Sequence, residues 1–243
     1  MFKDEVKDFQ KDKIDIISAL AIGVNHDICN PLGIARGQCE MFLLNLEDGV
    51  YESKTEKELL EKAADIMNKV IRETDRVTVI TRRLASFARC LKSEKTEDIE
   101  IKKEMEEIIS RVREEEDFKE REIRLEIKDD TLHVSADGCQ IREVLCNVIQ
   151  NAAEAAGDKG KVEIQAKKTD DGVSVEVKDN GPGINEKDAE KIFDPFFTTK
   201  KAANGAGLGL FIAKQIMEKN KDTMQVKSNI GEGTVFTLRF SDK

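Results

Sequence analysis

Apolar residues in the first third of the chain recur at helical spacing. Ile14, Ile17, Ala21, Val24, Ile28, Ala35 and Phe42 follow one another mostly at three- and four-residue steps, which predicts one long helix with a single apolar stripe. Residues 1–13 are highly charged and are expected to continue that helix or to fray. The pattern breaks over 46–53, where Gly49 supplies a turn. A second stripe follows: Ala63, Val70, Val77 and Leu84 sit seven apart, and Ile66, Ile80 and Phe87 each lie three residues after a member of that set. These are the a and d positions of a heptad, with Glu73 as the polar intruder. Two long helices joined by a short loop form an antiparallel hairpin, and one hairpin buries such a stripe poorly. A second copy completes a four-helix bundle, so a homodimer is expected.

The heptad stops in a polar stretch at 93–100, and the period changes beyond it. Ile123, Leu125 and Ile127 alternate with charges, as a half-buried strand does. Asp137 is suited to cap a helix running to about Ala156 and closed by Gly157. Val162 and Ile164, then Val173, Val175 and Val177, alternate on either side of an Asp170-Asp171-Gly172 turn and predict a hairpin. A helix near 206–219 and strands near 223–229 and 233–240 complete the chain. The fold class expected is α+β with two domains: a helical hairpin over 1–92, a linker over 93–100, and a layered domain of helices on a mostly antiparallel sheet over 101–243.

Composition narrows the chemistry. A net charge of −9 argues against nucleic acid, whose phosphates require a basic footprint. No apolar run approaches the roughly 20 residues that a membrane helix needs, and no signal peptide is expected. Cys29, Cys39, Cys90, Cys139 and Cys146 show no ligand spacing and are expected to be reduced cytosolic thiols acting as small apolar residues.

All three prolines and seven of the fifteen glycines fall inside a few short constellations. In Asn25-His26-Asp27-Ile28-Cys29-Asn30-Pro31, a seam-facing Val24 and Ile28 put His26 on the outward face of the helix. Imidazole in water is largely neutral at pH 7 and can act as a nucleophile. Asp27 is placed to engage one ring nitrogen, leaving the other to attack, and Asn30 lies one turn on along the same side. Pro31 removes a helical N–H and crowds the carbonyl of Asp27, which should loosen the helix beside the histidine. The same residues also read as a surface histidine beside an incidental kink.

Asn147 and Asn151 share a face of the proposed capped helix. Their neutral amide oxygens suit a Mg²⁺ already held by phosphates, and they read equally as exposed asparagines. Asp179-Asn180-Gly181-Pro182-Gly183 follows a strand, putting a carboxylate where it can accept from an exocyclic amine beside bare backbone; it is otherwise a turn. Gly205-Ala206-Gly207-Leu208-Gly209 opens a helix and exposes backbone N–H groups to an anion. It is neither a P-loop, for lack of the Lys-Ser/Thr pair, nor a dinucleotide fingerprint. Phe193 to Phe197 anchor a loop whose small polar tip, Thr198 to Asn204, suits a mobile lid carrying Lys200 and Lys201. Gly231-Glu232-Gly233-Thr234 joins the last two strands and reads also as a plain hairpin turn.

In this order the motifs resemble those of the sensor histidine kinases. His26-Asp27-x-x-Asn30-Pro31 resembles their H box and Asn147 to Ala155 their N box. Asp179-x-Gly181-x-Gly183, Phe193 to Phe197 and Gly205 to Leu210 resemble their first glycine box, F box and second glycine box. The resemblance implies a dimeric four-helix bundle and a Bergerat-type α/β sandwich shared with gyrase, heat-shock chaperone and mismatch-repair ATPases. It implies that Asn151 holds Mg²⁺ with support from Asn147, that Asp179, with Gly181 and Gly183 beside it, reads the adenine of ATP, and that Thr234 assists near the base. Gly205, Gly207, Leu208 and Gly209 would line the triphosphate, with Thr199 and Lys200 on the lid. The reaction implied is autophosphorylation of His26, then transfer to an aspartate of a response-regulator receiver domain. Phosphatase activity toward that regulator is also implied, all in the cytoplasm. Asp27 stands where the family usually has Glu. The readings that compete are an ATPase of the same superfamily without kinase activity, a scaffold that docks a regulator without catalysis, and a chain acting mainly as a phosphatase.

Overall fold

A computed structural model describes residues 2–93, 95–114, 118–127, 132–199 and 207–242, with side chains described from residue 21 onward. Lys200, Lys201, Asn204 and Gly205 therefore lie outside the described residues. Residues up to Ala85 belong to one compact unit; Ser86–Thr199 and Gly207–Lys243 form a second.

The first unit is a helical hairpin. Helix α1 (Phe2–Glu47) runs unbroken through Pro31 and takes in the charged N-terminal stretch. Gly49, at φ 70°, makes the turn that reverses the chain. Helix α2 (Glu56–Lys92) starts at a reciprocal cap: Glu58 N donates to Thr55 Oγ1 at 3.3 Å, and the Glu58 carboxylate accepts from Thr55 N at 2.8 Å. That exchange satisfies donors a helix start otherwise leaves open. It also holds the Glu58 carboxyl below the ordinary glutamate value, chiefly through the Thr55 amide. The heptad d positions Ile66 and Ile80 are buried, whereas Leu43, Leu44, Leu60, Met67, Ile71 and Val79 stay exposed.

The second unit begins inside the last two turns of α2. The polar stretch beyond is ordered: β1 (Glu97–Glu100) pairs antiparallel with β3 (His133–Ala136), and Ile99 is buried beneath it. Helix α3 (Ile101–Glu114) buries Ile101, Met105, Ile108, Ile109 and Val112. That helical stripe is present in the sequence but was not among the expected elements.

The main sheet has the order β2-β4-β5-β7-β6, formed by β2 (Glu122–Ile127), β4 (Lys161–Thr169), β5 (Gly172–Asp179), β6 (Thr223–Asn229) and β7 (Gly233–Ser241). Only β2 and β4 run parallel. Helix α4 (Gly138–Ala156) packs on β4, β5 and β7, flanked by α3 and by α6 (Gly209–Lys219). A one-turn helix α5 (Glu186–Ala189) and a 3₁₀ turn at Lys191–Phe193 lead toward the loop before α6.

Strand register explains how a site comes to lie at one end of this core. Inward-facing residues align across the sheet as Ala166, Val175 and Leu238, then Ile164, Val177 and Phe236. The next row is Val162, Asp179 and Thr234. Period-2 alternation thus turns a carboxyl and a hydroxyl into the core at the last step of an apolar ladder. Asp179 is 2% exposed and Thr234 4% exposed.

Candidate functional site: a nucleotide cleft and an exposed histidine

Four elements surround the buried end of the ladder. Asp179 closes β5, and its Oδ1 accepts the amide of Gly181 at 2.8 Å, which bends the chain away from the sheet. A side chain at Gly181 would bring its Cβ to 2.5 Å from the carbonyl oxygen of Ala155, so only glycine passes under the end of α4. Gly183 has φ 75°, and a Cβ there would lie 2.1 Å from Asn229 O. Gly233, at φ 93°, approaches the other flank of Asp179, where a Cβ would lie 2.0 Å from its carbonyl oxygen. Two of these glycines press on Asp179, Gly181 on its carboxylate and Gly233 on its main chain, while Gly183 presses on Asn229, and bare backbone is what a flat ring needs on each side.

On α4, Val144, Leu145, Val148, Ile149, Ala152 and Ala153 are buried, which turns Asn147 and Asn151 toward the opposite, half-buried side. The Asn147 amide donates to Glu143 O at 2.9 Å and to Glu143 Oε1 at 3.2 Å. Those two bonds orient its carbonyl oxygen, which lies 3.0 Å from where a Cβ on Gly209 would stand. The start of α6 thereby meets the asparagine face without an intervening side chain. Leu208, the cap of α6, is fully buried and makes no capping side-chain bond, so the first amides of that helix lack a side-chain cap from it. Gly207 (φ 61°) packs against Phe196, whose amide donates to Gly207 O at 3.0 Å. Phe196 itself takes a positive φ of 67°. Thr199 is exposed at the edge of the described residues.

In the hairpin, the His26 side chain is 70% exposed. Its Nδ1 lies 3.3 Å from Asp27 Oδ1, and the Asn30 amide nitrogen lies 3.0 Å from Nε2 and 3.2 Å from Nδ1. His26 and Asn30 sit on one exposed face of α1, as their spacing predicts, and half-buried Asp27 reaches the ring from the next position.

The profile described as histidine kinase-, DNA gyrase B- and HSP90-like ATPase matches residues 136–243. The catalytic domain of the histidine kinase ThkA is 32% identical with a TM-score of 0.56, covering 61% of this chain and 96% of that one. The chain belongs to the sensor histidine kinases. The sensor histidine kinase ZraS of Escherichia coli (strain K12) is 31% identical over 238 residues, covering 98% of this chain and 48% of the relative. The chain thus spans about half the length of the curated relatives it matches. A crystal structure of ThkA in complex with the response regulator protein TrrA aligns over 100% of this chain and 67% of that one, with a TM-score of 0.73 and 25% identity. Among the described residues, no helix is long and apolar enough to cross a membrane.

Several residues that support the histidine kinase site carry no motif signal. Ser228 on β6 is a hub: its hydroxyl accepts the amide of Ile184 at 2.8 Å, donates to Gly233 O at 2.9 Å and lies 2.9 Å from Thr234 Oγ1. Because Ser228 pairs with Thr234 in register, the signal was two small polar residues at the cleft end of neighbouring strands. Glu143 is a second. Its Oε2 accepts from Ser86 Oγ at 3.0 Å while its Oε1 accepts from Asn147, so α2 reaches the asparagine face through one carboxylate.

The cysteine expectation is corrected. Cys90 and Cys139 are joined as a disulfide with Cα atoms 5.6 Å apart, and Cys29, Cys39 and Cys146 take no part in a disulfide. Their separation of 49 residues resembles no motif, and only the packing of α2 on α4 brings them together.

Proposed function

We propose that this histidine kinase binds Mg-ATP in its second unit, phosphorylates its own His26 and passes the phosphoryl group to an aspartate of a response-regulator receiver domain. The reading rests on one juxtaposition: a single chain carries an exposed histidine flanked by Asp27 and Asn30 and an ATP-family domain with a carboxylate buried at a strand end. The likeness to a kinase crystallised with a response regulator favours the receiver domain as partner. The division of labour is 1–92 for dimerisation and phosphotransfer, 93–100 as the join, and 101–243 for catalysis. A homodimer would cover the apolar side chains that the hairpin leaves exposed.

In this reading Asp179 accepts a hydrogen bond from the adenine amine, Gly181 and Gly183 flank the ring, and Thr234 assists beside it. The amides at Gly205, Gly207, Leu208 and Gly209 take the phosphates, with Thr199 and Lys200 on the lid. Asn151, supported by Asn147, supplies the hard, neutral oxygen that suits Mg²⁺ already bound to phosphate. When bound, the metal neutralises charge on the transferring phosphoryl group. Asp27 accepts a hydrogen bond from Nδ1–H of His26, which fixes the tautomer and leaves the Nε2 lone pair to attack. The bond from Nε2 to phosphorus forms as the bond from phosphorus to the ADP oxygen breaks.

Asn30 lies within reach of Nε2 and could also hold a water there, so the same face supports hydrolysis of the regulator's phosphoaspartate. Because the chemistry draws on cellular ATP, we assign it to the cytoplasm.

The test is incubation with γ-labelled ATP and Mg²⁺ beside His26→Ala and Asn151→Ala variants. Alkali-stable, acid-labile label on wild type and none on either variant is the expected result. ATP binding without label on wild type would overturn the autokinase reading. A purified receiver domain, supplied afterwards, should then take up the label.

A further inference from the structure

Within the second unit, the last two turns of α2 are fastened by groups from both α4 and α6. Gln140, 3% exposed, donates through Nε2 to Cys90 O at 2.8 Å and to Ser93 O at 2.9 Å. Its own carbonyl oxygen accepts from Asn220 at 2.6 Å. Lys219 Nζ donates to Leu91 O at 2.7 Å. These bonds satisfy carbonyls that the end of a helix leaves open. Phe87 meets Phe211 edge to face at 6.1 Å between ring centres. In the middle of this set, Cys90 is bonded to Cys139 in the first turn of α4.

We propose that Cys90 and Cys139 form a reversible redox site which, when oxidised, locks the end of α2 onto the helix that carries Asn147 and Asn151. Three observations carry it. The Cα separation of 5.6 Å is one a disulfide spans without moving either backbone. The two sulfurs differ in access, since Cys90 is 1% exposed and Cys139 is half-buried, so one meets an external oxidant and the other resolves it. The non-covalent clamp holds the pair in register when the bond is open, so closing it needs no search. In a reducing compartment such a bond forms transiently and signals rather than merely stabilising.

The co-reactant is a low-molecular-weight disulfide. The Cys139 thiolate attacks one donor sulfur, the donor's sulfur–sulfur bond breaks, and one small thiol leaves. The Cys90 thiolate then attacks the Cys139 sulfur and expels the second small thiol. Two electrons pass from the protein to the donor, and the two protons end on the released thiols. A dithiol reverses both steps.

The consequence rests on the kinase reading above. A nucleotide-bearing unit that must meet His26 and then leave it needs freedom at the join with α2. The open clamp can yield, and the covalent one cannot. Oxidation therefore slows phosphorylation of His26 while leaving ATP binding intact.

The full chain is treated with glutathione disulfide or with dithiothreitol, then alkylated and digested for mass spectrometry. Two thiols lost on oxidation, with a cross-linked peptide pairing Cys90 and Cys139 that is absent from Cys139→Ala and Cys90→Ala, is the expected result. Five alkylated thiols in both samples, or a cross-link to Cys29, Cys39 or Cys146 instead, would overturn the site. Hydrogen exchange should show amides of 86–93 at least tenfold better protected in the oxidised chain; equal protection would overturn the lock. Labelling from γ-labelled ATP should fall at least fivefold on oxidation, recover with dithiothreitol and stay constant in Cys139→Ala. Equal rates would refute the regulatory step. A chain that never labels, reduced or oxidised, would remove the kinase reading and with it the regulatory step. The thiol count and the exchange data would still decide the site and the lock.

Discussion

Replacing Asp137 with alanine removes a carboxylate on which three segments converge. Oδ1 accepts the amides of Cys139 at 3.0 Å and Gln140 at 3.2 Å, the first donors of α4. Oδ2 accepts the amide of Lys95 at 3.0 Å and the hydroxyl of Ser93. The residue is 9% exposed, so water replaces these bonds poorly. Loss of an N-cap costs about 1 kcal/mol, and each of two further hydrogen bonds to a charged acceptor adds about 1.5 kcal/mol. The sum is about 4 kcal/mol, which for a unit of this size lowers the melting temperature by about 8–16 °C. Asp137→Asn, which keeps an acceptor for the helix amides, should lose about half of that. Thermal melts in excess dithiothreitol, followed by circular dichroism, keep the disulfide out of the comparison. The pH dependence carries a sign. Burial pushes this carboxyl up, but the Ser93 hydroxyl and the amides of Gln140, Lys95 and Cys139 outweigh it and hold it below the ordinary value of 3.8. A lowered folded-state value contributes stability that is present above the unfolded value and lost as pH falls through the folded one. The gap between wild type and Asp137→Ala should hold from neutrality to about pH 4 and close only below it. A variant melting within about 2 °C of wild type, or a gap already gone at pH 6, would refute the reasoning.

Gly233→Ala puts a methyl group 2.0 Å from Asp179 O at a φ of 93°, and the backbone there has no room to yield. We expect about 3 kcal/mol of destabilisation and loss of ATP binding by calorimetry. Ser228→Ala strips the Ile184 amide and Gly233 carbonyl of their shared partner, at a cost of about 1–3 kcal/mol. It should weaken ATP binding measurably, and unchanged affinity would show that the hub does not shape the cleft. Gln140→Leu keeps the volume but removes three bonds at the α2 junction. Urea titration should show about 2–4 kcal/mol lost, and a neutral outcome would mean the junction is held by the phenylalanine pair.

The constellation around His26 was legible in the sequence because it is local. Histidine and asparagine four residues apart on a helix share a face, the aspartate follows the histidine directly, and the structure brings both within 3.3 Å of the ring. Strand alternation likewise identified β5 and the Asp170-Asp171-Gly172 turn. Helix α4 starts at Asp137 and stops at Gly157, as its capping residues predict. The stretch at 93–100 looked structureless because Glu97, Asp98 and Glu100 mask one buried position, Ile99, whose role appears only when β3 lies beside it. Lys200 and Gly205 stay as expectations, outside the described residues.

Periodicity and capping are properties of neighbours a few residues apart, so the sequence alone determined the types of the long hairpin helices, of α4 and of the later strands, the exposed histidine and the glycines that let backbones approach. Contacts across long loops obey no such local rule. Tertiary structure alone decided that Asp179 is paired with Thr234 at the end of an apolar ladder, and that Ser86 reaches Asn147 through Glu143. It alone joined Cys90 to Cys139 across 49 residues. Register between strands and docking between helices come from packing the whole core at once, and a spacing read along the chain carries no record of it.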